Sequence, residues 1–136
     1  MVSLVRFGVS IEDELLSKFD KLLKQEGYPT RSEAIKGLIT QALVKQEWTG
    51  KNNEVAGTIT FIYDHHKRDL VNKLIDIQHD FNQLIISVQH IHLDHDNCME
   101  IAVVRGRVKE IQELAAKLKS VKGIKHSDLV MTTIGH

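Results

Sequence analysis

Two hydrophobic rhythms follow one another in the first fifty residues, and together they limit what the chain can fold into. From Leu4 to Ile11 apolar and polar residues alternate, with Val5, Phe7, Val9 and Ile11 on one face and Arg6, Gly8 and Ser10 on the other. That is the period of a strand with one apolar side. The repeat then lengthens to that of a helix. Ser10 is a candidate cap, Glu12, Asp13 and Glu14 suit the positive end of the helix dipole, and Leu15, Leu16, Phe19, Leu22 and Leu23 form the stripe. Gly27 supplies a left-handed stop. Thr30-Arg31-Ser32-Glu33 has the form of a capping box and opens a second helix, with Ala34, Ile35, Leu38, Ile39, Ala42 and Leu43 at helical spacing to about Glu47. A strand and two helices bury too little surface to be stable alone, so this unit needs a partner chain, and pairing the strands of two copies supplies one.

The polar stretch Thr49-Gly50-Lys51-Asn52-Asn53 reads as a linker, which makes 1–48 and 54–136 separate domains. The second follows a different order: a strand over 55–63, a helix over 66–80 with Leu70, Leu74 and Ile77 inward, and strands over 84–93 and 98–104. A helix over 107–120, with Ile111, Leu114, Ala115 and Leu118 on one face, and, after Gly123, a last strand through Val130 to Ile134 complete it. The order βαββαβ is that of a ferredoxin-like sandwich, so the chain is of the α+β class.

The third strand of this reading carries the densest chemistry. His90 and His92 lie two residues apart, so their rings project to one side with Cα atoms roughly 6.8 Å apart. If the following turn takes five residues, 93 to 97, Cys98 pairs opposite His92 and its sulfur joins that face; a four-residue turn points it away. With His79 eleven residues upstream, this set suits Zn, Cu or Ni, which accept nitrogen and sulfur, and excludes Mg and Ca. A lone strand histidine or cysteine is ordinarily a packed residue, and it is their coincidence that argues for a metal. His65, His66 and His95 read as exposed polar residues that could also take extra or transient metal, and His126 and His136 carry no signal.

With 42% hydrophobic residues, one proline and one cysteine, the chain reads as a folded protein of a reducing compartment, and the cytoplasm is the expected location. Net charge is zero, and residues 1–50 balance at seven basic against seven acidic side chains. Affinity for DNA must therefore come from particular side chains. A strand exposing Arg6, Gly8 and Ser10 can double with its twin into a ribbon that fits the major groove, and the second helix offers its amide-rich start, at Thr30, Arg31 and Ser32, to a phosphate.

Arg6-Phe7-Gly8-Val9-Ser10, Arg31-Ser32-Glu33-Ala34-Ile35, Lys67-Arg68-Asp69-Leu70 and His90-x-His92 through Cys98-Met99-Glu100-Ile101-Ala102-Val103 resemble the nickel-responsive transcriptional regulators (NikR) over nearly the whole chain. The resemblance implies a ribbon-helix-helix domain followed by an ACT-type regulatory domain, assembled as a homotetramer. It implies one nickel ion per subunit, held in a square plane by His90, His92 and Cys98 of one subunit and His79 of another. It also implies that nickel-loaded protein binds operator DNA and represses nickel uptake, with Lys67 and Arg68 approaching the DNA backbone. Some members carry threonine at the position of Gly8 and an acidic residue at that of Gly37, so the operator contacts differ here and a second cation site near Glu33 is not expected.

Two other readings compete. One is a metalloenzyme with an open position beside His90, His92 and Cys98, but no H-E-x-x-H motif is present and Glu100 alone is a poor base. The other is a ribbon-helix-helix regulator whose ACT-type domain senses a small metabolite or another transition metal.

Overall fold

The computed structural model describes residues 2–135, and His136 lies outside them. The chain divides into two compact units, Met1–Gln41 and Ala42–His136.

Helices α1 (Asp13–Gln25) and α2 (Arg31–Glu47) follow the two expected stripes, and α2 runs past the end of the first unit. Helix α1 begins later than expected: Glu12, with extended φ and ψ, occupies the N-cap position, no side chain caps it, and Ser10 plays no part. Its end is as expected, because Gly27 takes φ +78° and the Tyr28 amide returns to the Leu23 carbonyl. The alternating segment forms no ladder within its own chain, and its apolar side chains lie open, Phe7 at 68% and Val9 at 62% exposure. Ala34 alone among the described residues of this unit is buried. Val9, Ile11, Leu15, Phe19, Ile35 and Leu38 line an open apolar trough of about 630 Å³.

The second unit contains β1 (Glu54–Asp64), α3 (Arg68–Asp80), β2 (Ile85–His92), β3 (Asn97–Arg107), α4 (Val108–Ser120) and β4 (His126–Met131). These strands form one antiparallel sheet in the order β2-β3-β1-β4, as the βαββαβ order requires. One face supplies Val55, Ile59, Phe61 and Tyr63 from β1 with Ala102 and Val104 from β3; Leu70, Leu74 and Ile77 of α3 and Val108, Ile111, Leu114 and Leu118 of α4 complete the core. The last strand ends earlier than expected, at Met131 and not Ile134, because β4 pairs with β1 only from Ile62↔His126 to Gly57↔Met131. Its continuation is tied down differently. The Thr132 amide bonds to Ala56 O at 3.0 Å, and its carbonyl accepts the Trp48 indole N–H at 2.9 Å. Trp48 packs over Gly57, where a Cβ would come within 2.6 Å of the Val130 carbonyl oxygen, so this position requires glycine.

Candidate metal centre and nucleic-acid interface

The β2–β3 register settles the turn. His92 pairs with Cys98, so five residues separate them and the sulfur shares the histidine face. Asp94 holds this turn: its Oδ1 accepts the amides of Asp96 at 2.9 Å and Asn97 at 2.8 Å, and its Oδ2 accepts the Asn97 side-chain amide at 3.1 Å. These bonds, the Asn97 side chain first, keep the Asp94 carboxyl below its ordinary range. Because β1 pairs with β3 through Tyr63↔Cys98 and Phe61↔Glu100, two rows cross three strands: Tyr63, Cys98 and His92, then Phe61, Glu100 and His90.

Burial falls steeply along these rows. Cys98 is 2% exposed and Glu100 1%, whereas His90 and His92 are open to solvent. Glu100 is the one buried charged residue among those described, and its carboxyl is fully engaged. Oε1 accepts the Tyr63 hydroxyl at 2.9 Å and lies 3.0 Å from His90 Nε2, while Oε2 accepts Gln78 Nε2 from α3 at 2.5 Å. Burial, with Glu100 and Cys98 beside it, pushes the Tyr63 phenol well above its ordinary value.

His79 is the penultimate residue of α3 and is exposed. The single chain therefore brings His90, His92 and Cys98 onto one face but does not gather all four donors. Among the described residues, the donors whose ligand atoms all lie within 4.8 Å of one another are instead His66, His95 and Asp96. The hairpin set still fits a borderline ion: two solvent-facing imidazoles flank a thiol, and a buried carboxyl stands ready to orient one ring.

On the nucleic-acid side, Arg6, Gly8 and Ser10 are exposed, and a Cβ at Gly8 would meet nothing within 4 Å. Thr30 caps α2 through a 3.1 Å bond to the Glu33 amide, but Glu33 turns its carboxylate to Lys36 at 2.9 Å, so half of the expected box forms. Ser32 is exposed. Arg31 is already paired: its Nε and a terminal nitrogen each lie 2.9 Å from an oxygen of Asp20, which holds the Asp20 carboxyl below its usual range. Lys67 and Arg68 stand at the start of α3, exposed and in no ion pair among the described residues. At Gly37 the Tyr28 phenol occupies the space a side chain would need, so this helix face has no room for an acidic residue unless Tyr28 moves.

The sequence reading gives Asp94 and Gln78 no role in this geometry and weighs Glu100 only as a base. The D-x-D-N string 94–97 carries a readable signal, since aspartate and asparagine close such turns through their own backbone. Glu100 and Gln78 carry none, because only the fold brings an acid from β3 beneath a glutamine from α3.

The match to known proteins covers both units. Residues 56–132 match the family model for the NikR C-terminal nickel-binding domain, and residues 5–46 match that for ribbon-helix-helix proteins of the copG family. A protein of Syntrophus aciditrophicus named as a nickel-responsive regulator is 55% identical over 135 residues, 99% of this chain and 98% of its own length. Proteins given the same name are 51% identical over 131 residues in Geobacter metallireducens (96% and 94%) and 50% over 134 residues in Pyrococcus furiosus (98% and 97%). Among solved structures, an uncharacterized protein from Thermotoga maritima aligns with a TM-score of 0.52 at 14% identity, over 57% of this chain and 96% of its own, a likeness of fold alone. No helix of the described residues is long and apolar enough to cross a membrane. With a full-length likeness at half identity and both domain types in order, the chain belongs to the nickel-responsive regulators, a family of DNA-binding transcription regulators and not of enzymes.

Proposed function

We propose that this protein is a cytoplasmic nickel sensor that binds operator DNA when nickel is bound and represses genes of nickel uptake. The observation that carries the reading is the His92↔Cys98 register, which aligns a thiol with two imidazoles on one face of a hairpin. His90, His92 and Cys98 of one subunit and His79 of a neighbour would hold one ion per subunit. Nickel bound there would supply a square-planar link between chains, so its binding energy would favour one quaternary arrangement over others. A homotetramer, with two paired N-terminal units flanking four regulatory domains, accounts for the exposed apolar residues of 2–11 and for the open trough beside them.

In this reading the paired segments enter the major groove of operator DNA with Arg6, Gly8 and Ser10 toward the bases. Thr30, Arg31 and Ser32 present the start of α2 to a phosphate, and Lys67 and Arg68 add backbone contacts from the regulatory domain. Electrophoretic mobility shift with and without Ni2+ tests the whole. Wild type should shift its operator only with nickel, and Cys98→Ala, His90→Ala and His79→Ala should each abolish the dependence; retention in any one would remove that residue from the site. An absorption spectrum should show a thiolate-to-nickel charge-transfer band with square-planar ligand-field bands, and tetrahedral features would contradict the geometry.

A further inference from the structure

Helix α2 does not stop where the first unit does: Arg31–Gln41 belong to that unit, whereas Ala42–Glu47 carry the same run of helix into the second. Those last turns are built into the regulatory domain. Val44 packs against its core, and Trp48, the only tryptophan of the chain, is a member of that core at 5% exposure. The indole lies against Gly57 of β1 and donates its N–H to the Thr132 carbonyl. One residue on, the Thr133 hydroxyl donates to Glu47 Oε1 at 3.4 Å. Because the Thr132 amide is itself bonded to Ala56 of β1, the segment after β4 forms a strap from the sheet to the end of the helix. The stretch that follows α2 is fixed as well. Gly50 N and Asn53 Nδ2 both donate to the Glu47 carbonyl, at 3.3 and 2.9 Å, and the carbonyls of Asn53 and Lys51 accept the Val108 and Lys109 amides at 3.0 Å each. Backbone whose polar groups are engaged in this way has little freedom to turn.

We propose that Ala42–Trp48, strapped to the regulatory sheet by Thr132 and Thr133, is the element through which metal occupancy reaches the DNA-binding unit, and that 49–53 is not a free linker. The inference rests on the nickel-dependent DNA binding proposed above. Coupling between distant sites needs a contiguous, stiff path, and a helix is stiff because its backbone bonds are internal. Such a path exists in the sheet. Strand β1 stands between β3, which carries Cys98, and β4, which leads into the strap, so a shift at the hairpin is passed to the strand on which Trp48 rests. From Trp48 it enters a helix whose other end, at Arg31, belongs to the first unit. A loose joint at 49–53 would lie after this junction in the chain and would not interrupt it.

Two variants test this: Trp48→Ala, and a chain truncated after Met131, which lacks the strap and keeps Trp48 as its own reporter. Both should take up Ni2+ as wild type does, read by the thiolate charge-transfer band, while the nickel-dependent gain in operator affinity falls by about tenfold or more. Trp48 fluorescence in the truncated chain should move to longer wavelength as the indole meets water. Amide exchange of 42–48 should be as slow as that of β1 in wild type and should quicken in both variants. A full nickel-dependent gain in variants whose 42–48 amides have quickened overturns the proposal, as does rapid exchange of 42–48 in wild type. Loss of the charge-transfer band in both variants would do the same, by assigning the strap to the metal site. A wild type with no nickel-dependent gain would refute the functional reading instead, and its exchange pattern would still decide whether Ala42–Trp48 is part of the regulatory domain. Thermal melting by circular dichroism checks that the variants fold.

Discussion

The Asp94 carboxyl oxygen and the Asn97 amide, 2.8 Å apart, fix the length of the turn that sets Cys98 opposite His92. Replacing Asp94 with alanine frees two turn amides and should loosen the register, so nickel affinity should fall and amide exchange of residues 94–97 should quicken, with little change in global melting. The pH dependence has a defined sign. The folded carboxyl lies below the ordinary aspartate value of 3.8, so its contribution is fully present above that value and is lost as pH falls through the lowered folded one. Amide exchange followed between pH 5 and pH 2 checks it.

Glu100→Ala leaves the buried Tyr63 hydroxyl and the half-buried Gln78 amide without an acceptor, and His90 without its anchor. A loss on the order of 3 kcal/mol in urea unfolding is expected, together with weaker nickel binding by about 10- to 100-fold. Glu100→Gln, which keeps the shape and one acceptor, should lose less of both.

Gly57→Ala places a methyl group against the Val130 carbonyl, which the β1–β4 ladder holds in place. Overpacking of this kind costs about 1–3 kcal/mol, measurable as a lower urea midpoint at unchanged slope.

Asp20→Asn should release Arg31 from its paired geometry. If Arg31 then meets a phosphate, operator affinity rises and the slope of log affinity against log salt steepens by about one for each arginine recruited. An unchanged slope would mean that Arg31 serves to join α1 to α2 and has no part in DNA binding.

Periodicity made most of the architecture legible. The stripes of α1, α2, α3 and α4 were readable because each buries or presents one face at helical spacing, and βαββαβ followed from their order. Ends were less legible where competition was tertiary: Ser10 had the chemistry of a cap, but the helix begins three residues later, and β4 ends at Met131 because it pairs with β1 only that far. Within the candidate site, residue types and spacing revealed the donors, whereas the five-residue turn depended on Asp94 and the second row on Glu100. A pairing such as Arg31 with Asp20 joins two helices eleven residues apart and leaves no mark on the local pattern.

The gradient from open histidines to a covered thiol also carries a kinetic consequence. An ion arriving from water would meet His90 and His92 first and reach the Cys98 sulfur last, after the thiol has given up its proton. Capture and commitment would then be separate events, with a fast, reversible encounter on nitrogen and a slower closure on sulfur that sets the residence time. The same covering would make Cys98 slow to alkylate, so the rate of thiol modification would report how often the hairpin opens rather than how reactive the sulfur is.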